Sequence, residues 1–393
     1  MVLKSLLIIF LLLFDLIEST SKTKNNKAYT NTTEIMEHEE NIMMLLPTDY
    51  LFWKLPIPYY IEDIVYKHVV KRAISNIEEK TCLVFDYHKI LPKDHYNFMI
   101  IRTNDSIFTP YKVFNGKYQV EINTTCLKYY TCVLKSIAIS LGLMPPHERL
   151  DRKEYIDIKW EHMDPKYRAS FIKINKSGQK RLTSCIPYEY GSLLHPNRYF
   201  GSSSGEETIV VKKRDCSVLI AEKNDLTFYD IKFMNDLYCK SSCIGYDNKC
   251  KNEGYLNPNN CLTCICPSGY SGSYCEEIKG KCRSYPKEMY VEEDGELLLN
   301  GTNNCYVLIK TDLQHRIKLY IEELFINTYR ACEQGYEIEI RHLKSKAHSG
   351  ASFCHTLQKD NRHYHSFTSE NNEIMLHIDI RRGDTGKIRY KII

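Results

Sequence analysis

The sequence predicts a multidomain chain in which an α+β domain is followed by a small disulfide-rich module and then by an all-β sandwich. Amphipathic helical stripes and short apolar strands share residues 49–239, which is typical of a mixed domain. Six cysteines lie between Cys243 and Cys275, in a unit too small to bury a sufficient core. Period-two alternation dominates residues 282–393 and predicts an antiparallel sandwich.

Residues 1–21 have the pattern of a secretory signal peptide. Lys4 precedes the apolar run Leu6–Phe14, and small polar residues follow it. A membrane anchor needs about 18 apolar residues, and Asp15 ends this run earlier. No later stretch is long and apolar enough to span a bilayer. We therefore expect a secreted, extracellular chain without a membrane span.

The cysteine content, the glycosylation signals and the charge agree with secretion. Sixteen cysteines, an even number, indicate an oxidising compartment in which cysteines pair. Asn-x-Ser/Thr sequons, which predict a glycoprotein, lie at Asn31, Asn104, Asn123, Asn175 and Asn300. The formal net charge of +4 is too small to indicate a nucleic-acid partner.

Residues 22–48 are polar and rich in Lys, Asn and Glu, which is typical of a flexible pro-segment or linker. Globular patterning begins after it, near Trp53. Helices are predicted over residues 63–80 and 131–143, where apolar residues recur at helical spacing. Their apolar faces are Val65, Val69, Ala73 and Ile77 in the first helix and Leu134, Ile137, Ala138 and Leu141 in the second. Short strands are predicted at Cys82–Phe85 and Phe98–Arg102.

The two C-terminal segments resemble known extracellular modules. From Cys264 to Cys275 the chain follows C-x-C-P-x-G-Y-x-G-x-x-C, so residues 240–277 resemble an EGF-like module. Residues 282–393 resemble a CUB domain, with four cysteines spaced as two successive pairs. Apolar residues alternate there along residues 336–341, 374–380 and 388–392. Neither module carries the acidic pattern of its calcium-binding relatives, so no calcium site is predicted.

Residues 53–239 resemble the astacin family of zinc metalloendopeptidases in four stretches that occur in the family's order. The stretches are Ile57–Phe85 at the opening helix and strand, Arg149–Arg152 as R-x-D-R, Tyr188–His195 as Y-E-Y-G-S-L-L-H, and Tyr229–Cys239 at the closing helix. The resemblance implies an α+β astacin-like metalloprotease domain within residues 49–239. It also locates the family's zinc motif, H-E-x-x-H-x-x-G-x-x-H-E.

The motif's glycine aligns with Gly142, and the R-x-D-R segment then fits without a gap. Under this alignment the three histidine positions are Lys135, Ile139 and Pro145. The position of the catalytic glutamate, which activates the zinc-bound water in the family, is Ser136. The chemistry that the motif supplies is therefore expected to be missing.

The turn that follows the zinc motif in the family, aligned with Tyr188–His195, departs from the family's pattern as well. Leu194 stands at the position of its supporting methionine, and Pro196 stands at the position of the tyrosine that lines the metal site. A slip of two residues in the alignment brings His147 onto the third histidine position and restores one ligand at most. A catalytic zinc site needs about three protein ligands. We therefore predict no intact metal site and no cofactor, with zinc only if an unrecognised ligand set exists.

The resemblances also imply how the cysteines pair. In the protease-like domain the family bond Cys82–Cys239 is expected, while the family's usual second bond is altered because no cysteine lies near residue 108. The expected pairs are Cys82–Cys239, Cys126–Cys132, Cys185–Cys216, Cys243–Cys261, Cys250–Cys264, Cys266–Cys275, Cys282–Cys305 and Cys332–Cys354.

These observations predict a secreted, catalytically inactive astacin homologue that binds extracellular proteins or peptides through its former substrate cleft and its accessory modules. Two alternatives stay open. The chain is an active zinc-dependent metalloendopeptidase with a non-standard ligand set, or it is a structural extracellular-matrix protein in which only the EGF-like and CUB modules matter.

Overall fold

The structure is a computed structural model that describes residues 43–46, 53–91, 93, 98–103, 112–114, 117–122, 124–171, 173–176, 186–220, 224–301, 303–326, 337–357 and 365–393. Residues 43–393 form one unit. The expected signal peptide, most of the expected pro-segment and the sequons at Asn31, Asn104 and Asn123 lie outside the described residues. No helix in the described part of the chain has the length and apolarity needed to cross a bilayer.

The first domain contains a five-stranded sheet with two helices packed on it. In the order β3-β2-β4-β6-β5, the strands run parallel except for the antiparallel edge pair β5–β6. They are β2 (Ile57–Ile61), β3 (Phe85–Tyr87), β4 (Met99–Thr103), β5 (Lys112–Phe114) and β6 (Lys117–Ile122). The helices are α1 (Lys67–Lys80), the short α2 (Thr124–Leu127) and α3 (Tyr130–Ser140). Upstream, β1 (Met43–Leu46) pairs in parallel with β8 (Lys173–Lys176).

Helix α1 begins later than predicted and buries a different stripe. A 3-10 turn at Ile64–Tyr66 precedes it, and Val65 in that turn is exposed instead of buried. Val70 and Ile74 join Ala73 and Ile77 in the core, because a strict four-residue spacing drifts off one face of a 3.6-residue helix. Strands β3 and β4 lie three residues and one residue beyond their predicted starts, at Phe85 and Met99.

Helix α3 buries the predicted apolar face but ends at Ser140, three residues before the predicted end. Gly142 adopts φ +92°, in the left-handed region that glycine tolerates best. The Leu143 amide then donates to the Ala138 carbonyl, which closes the helix as a glycine cap. The glycine aligned with the zinc motif therefore turns the chain directly after the helix.

The rest of the first domain consists mainly of short segments around one closing helix. Strands β7 (Ile156–Ile158) and β9 (Ile209–Val211) pair antiparallel. Short 3-10 helices lie at Pro146–Glu148, Arg152–Glu154, Trp160–His162, Pro165–Phe171 and Arg214–Leu219. Helix α4 (Phe228–Tyr238) begins with a capping box between Thr227 and Asp230. It leads directly into Cys239.

The EGF-like segment folds as two small antiparallel hairpins. The last segment folds as the predicted sandwich, except that its edge strand β14 pairs in parallel with β16 and not antiparallel. The hairpin strands are β10 (Tyr255–Asn257) with β11 (Asn260–Ile265), and β12 (Tyr270–Ser271) with β13 (Glu277–Ile278). One sheet of the sandwich has the order β14-β16-β21-β18-β19 and the other β15-β22-β17-β20. Their strands are β14 (Glu288–Tyr290), β15 (Gly295–Asn300), β16 (Asn303–Lys310), β17 (Ile317–Phe325), β18 (Glu337–Arg341), β19 (Ala351–Phe353), β20 (His365–Thr368), β21 (Glu373–Ile380) and β22 (Thr385–Ile392).

The sandwich does not follow a simple apolar-in, polar-out alternation. Met375 on β21 is fully buried although its neighbours Ile374 and Leu376 face the opposite side. It packs in a cluster with Tyr306 and with Tyr270 of the EGF-like module. Part of the outer face of this sheet is therefore covered by another module, which a single-strand pattern does not reveal.

Six disulfide bonds join cysteines in the described part of the chain, and each joins a pair expected from the resemblances. They are Cys82–Cys239, Cys126–Cys132, Cys243–Cys261, Cys250–Cys264, Cys266–Cys275 and Cys282–Cys305. Cys354 is disulfide-bonded. Within the described part of the chain, Cys216 is buried and forms no disulfide bond, which contradicts the expected Cys185–Cys216 pair. Cys185 and Cys332 lie outside the described residues, so Cys332–Cys354 stays a prediction.

Candidate active site

Helix α3 carries the positions aligned with the first two histidines and the glutamate of the zinc motif. Lys135 and Ile139 are four positions apart and therefore lie side by side on the helix surface, as two ligands one turn apart require. Both side chains are half-buried, as is that of Ser136. The backbone that positions the family's ligands is thus present.

The side chains on that backbone have the wrong chemistry for zinc. Ser136 Oγ donates a hydrogen bond to the Cys132 carbonyl at 3.1 Å, so the hydroxyl bonds to its own helix. Ile139 has no donor atom, and Lys135 carries an ammonium that repels a cation. Pro145, buried just after the glycine turn, offers a ring without a lone pair for metal binding.

Zinc requires about three nitrogen, sulfur or carboxylate ligands. The residues at the aligned positions do not fit this ion. Over the ranges that the structure describes, no group of three or more His, Cys, Asp or Glu side chains is arranged to hold a metal. No step of zinc chemistry can therefore be assigned to these side chains.

His147, the candidate displaced ligand, lies in the core beneath the motif. Its Nε2–H donates to the Ser170 carbonyl at 2.9 Å, and its ring packs edge-on against Phe171 at 5.1 Å. Burial, aided by nearby His195, lowers its pKa well below the usual value, so the ring is neutral. Nδ1 has no hydrogen-bond partner among the described residues. It is a single available donor atom, which does not make a metal site.

The R-x-D-R segment is tightly bonded behind the glycine turn. Arg149 makes a two-pronged ion pair with Asp151, at 2.7 and 2.8 Å, and donates to the carbonyls of Ile186 and Pro187. Arg152, 2 % exposed, donates to the His147 and Phe171 carbonyls. A buried guanidinium needs such partners to offset its desolvation. These bonds hold the scaffold around the aligned motif.

The turn at Tyr188–His195 is held by hydrogen bonds to helix α4. Asp230 of α4 accepts hydrogen bonds from Ser192 Oγ at 2.6 Å and from the Leu193 amide at 3.0 Å. Leu194, at the family's methionine position, is buried, and Pro196 follows it half-buried. Helix α4 therefore supports the turn that contains Leu194 and Pro196, the residues aligned with the family's methionine and tyrosine.

His195 of the same turn is neutral at physiological pH. Burial lowers its pKa to about 4. Nδ1 must donate to the Pro196 carbonyl at 2.8 Å, because that oxygen only accepts, so Nε2 accepts from the Tyr188 hydroxyl at 3.0 Å. Protonation of Nε2 would remove the lone pair to which Tyr188 donates. The Tyr188 hydroxyl can then turn to accept from Nε2–H, so burial is what disfavours the charged ring.

This arrangement predicts a pH dependence of stability. An unfolded histidine has a pKa of about 6.5, so between that pH and about 4 the unfolded state binds a proton that folded His195 refuses. Stability should fall as the pH falls through this window, by about 3 kcal/mol for this group. Denaturant titrations from pH 7.5 to 4 give the free energy of unfolding at each pH. For His195→Gln this free energy should change less steeply with pH than for the wild type, by a slope equivalent to about one bound proton. An unchanged slope would contradict the assignment.

A sequence-based search for site residues missed Glu189. It replaces the aspartate of the family's Y-D-Y-G-S turn, and its carboxylate is buried against the sandwich, where Ser349 Oγ donates to it at 2.8 Å. A cavity of about 900 Å³ lies beside it, at the junction of all three modules. Its lining includes Tyr155, Tyr188 and Tyr190 with Lys344 and Glu370. The longer acidic side chain at residue 189 was the only sequence signal.

Comparisons with known proteins agree with the geometry of the first domain. Residues 47–239 match the family described as Astacin, a family of peptidases. Zinc metalloproteinase nas-36 of Brugia malayi is 30% identical over 321 residues, which cover 78% of this chain and 54% of that protein. Zinc metalloproteinase nas-26 of Caenorhabditis elegans is 26% identical over 374 residues, which cover 92% of this chain and 85% of that protein.

Two solved structures are similar to parts of the chain. High choriolytic enzyme 1, a hatching enzyme zinc-protease from Oryzias latipes, shares 24% identity with a TM-score of 0.42, over 48% of this chain and 94% of that one. The CUB1-EGF-CUB2 domains of rat MASP-1 share 14% identity with a TM-score of 0.20, over 27% of this chain and 42% of that one. The chain spans about half the length of several curated relatives, among them 54% of nas-36 of Brugia malayi and 50% of zinc metalloproteinase nas-34 of Caenorhabditis elegans.

Proposed function

Because this chain belongs to the astacin family through residues 47–239, we propose that it is a secreted, non-catalytic homologue of these peptidases. It acts by binding extracellular proteins or peptides. The observation that carries the proposal is that Lys135, Ser136 and Ile139 occupy an intact ligand helix without one zinc-binding atom.

Retention of the surrounding scaffold supports a binding role. The Arg152 bonds, the support of the later turn by Asp230 and the Cys82–Cys239 disulfide all persist around the altered positions. Each of these features stabilises the fold around the altered positions without taking part in metal chemistry. A cleft that keeps its shape and loses its catalyst can still hold an extended peptide. The EGF-like and CUB modules extend the available surface.

Two other functions are weighed against this one. The curated relatives are zinc metalloproteinases by name, which favours an active enzyme, and His147 Nδ1 is the donor atom from which an unusual ligand set would have to start. A structural matrix protein would need only the EGF-like and CUB modules. A peptidase assay distinguishes the first alternative from the proposal. The second alternative is distinguished by whether partner binding depends on the former cleft.

The peptidase test uses the full secreted chain and a mixture of fluorogenic peptides. We expect no turnover above that of mock-secreted medium, because the general base and all three ligands of the aligned motif are replaced. Hydrolysis that disappears with a chelator and returns with zinc would contradict the proposal.

In the binding test, a displayed peptide library is enriched on the wild-type chain. The fraction of the enriched peptides that each variant retains is then measured. Lys135→Glu reverses the charge in the former cleft and should reduce retention about tenfold, a loss of about 1.4 kcal/mol. Lys240→Glu, the same change at an exposed residue just after Cys239, is the matched control and should retain the peptides. Equal retention by both variants would favour the matrix alternative.

A further inference from the structure

The CUB-like sandwich contacts the protease-like domain through an ion pair between Lys213 and Glu370 and through the loop between β18 and β19. We call residues 342–350, between β18 and β19, the docking loop. Its target is the turn formed by residues 188–192. Glu189 of that turn accepts a hydrogen bond from Ser349 Oγ at 2.8 Å, and its other oxygen lies 3.2 Å from His348 Nδ1. The Ser349 amide also points at that oxygen, at 3.4 Å.

This contact is taken out of water. Glu189 is 4% exposed, and the side chain of His348 is 12% exposed. Within its own turn, as far as the structure describes it, the carboxylate accepts one hydrogen bond, from the Gly191 amide at 3.1 Å. An ionised carboxylate buried with a single amide would be costly, because its remaining lone pairs would lose water without replacement. The docking loop supplies the missing donors.

Neighbouring contacts join the same surfaces. The Tyr229 hydroxyl lies 3.1 Å from Ser345 Oγ of the docking loop and donates to Glu253 of the EGF-like module at 2.6 Å. The Tyr229 ring centroid lies 4.8 Å from that of His348. Ala347 is 3% exposed and belongs to the apolar core of the first domain. The loop is therefore packed as an interior segment and not as a surface loop.

We propose that the turn at residues 188–192, which supports the metal site in the family, serves in this chain as the docking site of the CUB-like sandwich, with Glu189 as the anchoring residue. The partner that this surface fits is the chain's own docking loop. Docking makes the three modules one rigid body, so that any bound protein meets a composite surface of fixed shape. The inference concerns module arrangement and does not depend on the proposed function.

The test alters the loop and leaves the first domain unchanged. His348→Ala in the full chain should speed hydrogen exchange of the Gly191 amide at least about tenfold, since a hydrogen bond to a charged group is typically worth that much in an opening equilibrium. X-ray scattering should show a larger radius of gyration than wild type. His315→Ala is the matched control, because His315 also pairs with a carboxylate, Asp312 at 2.7 Å, but on an exposed loop of the sandwich.

Ser349→Ala provides a second variant if His348→Ala is poorly secreted, since it removes one donor and keeps the imidazole. Both variants should retain the Cys82–Cys239 bond in peptide maps, which shows that the first domain has folded. Faster exchange of the Gly191 amide in the loop variants, with wild-type exchange in His315→Ala, would support the proposed docking site. Wild-type exchange and scattering in both loop variants would overturn it.

Discussion

Replacement of Cys82 and Cys239 by alanine is expected to lower the free energy of unfolding by about 5 kcal/mol. The bond closes a loop of 157 residues, and the loss of chain entropy on closing a loop grows with the logarithm of its length. It joins the end of α1 to the end of α4, where Asn235 also donates to the Lys80 carbonyl at 3.0 Å. That single hydrogen bond cannot replace the covalent link.

The Cys126–Cys132 bond offers a matched control in the same domain. It spans six residues, so its replacement by two alanines should cost only about 2 kcal/mol in the same chain-entropy account. Both double variants are compared with wild type in denaturant titrations of the secreted chain, under conditions that keep the other bonds oxidised. Equal losses for the two variants would contradict the loop-length argument.

The sequence predicts the site better than it predicts the module contacts. The positions of Lys135 and Ile139 follow from motif spacing anchored on Gly142, and the structure has both on one helix with the glycine turn directly after it. Such spacing is local, and helical geometry converts it into side-by-side placement. The sandwich was predictable for the same reason, because strand alternation is a local signal.

The exposure of Val65 is a local error, because α1 begins later than predicted and Val65 lies in the 3-10 turn before it. The other errors arise where a distant segment decides the outcome. Met375 occupies a face expected to be solvated, but the EGF-like module covers it. The partners of Glu189 come from residues about 160 positions away, at Ser349. No pattern within one strand or helix contains that information, since tertiary packing overrides local preference.

The second large expected effect concerns the metal. An astacin-type enzyme that bound zinc only in its native state would gain about 2.7 kcal/mol when free zinc is at 100 times the dissociation constant. Added zinc should leave the free energy of unfolding of this chain unchanged. Restoring the helix with Lys135→His, Ser136→Glu and Ile139→His should give two ligands and a base, which is fewer than the three ligands of a catalytic site. The triple variant is therefore expected to stay inactive.

Addition of Pro145→His, Leu194→Met and Pro196→Tyr to the triple variant extends this test. Zinc binding by the sixfold variant and not by the triple variant would show that the scaffold kept its shape while the ligands were lost. Peptidase activity in the triple variant would instead show that an unrecognised third ligand exists, and His147 would be the first candidate.

The most direct test of inactivity is the zinc content of the purified, secreted chain, measured by elemental mass spectrometry before and after dialysis against a chelator. We expect no stoichiometric zinc and a melting temperature that the chelator leaves unchanged. About one zinc per chain, removed by the chelator together with a fall in melting temperature, would contradict the account.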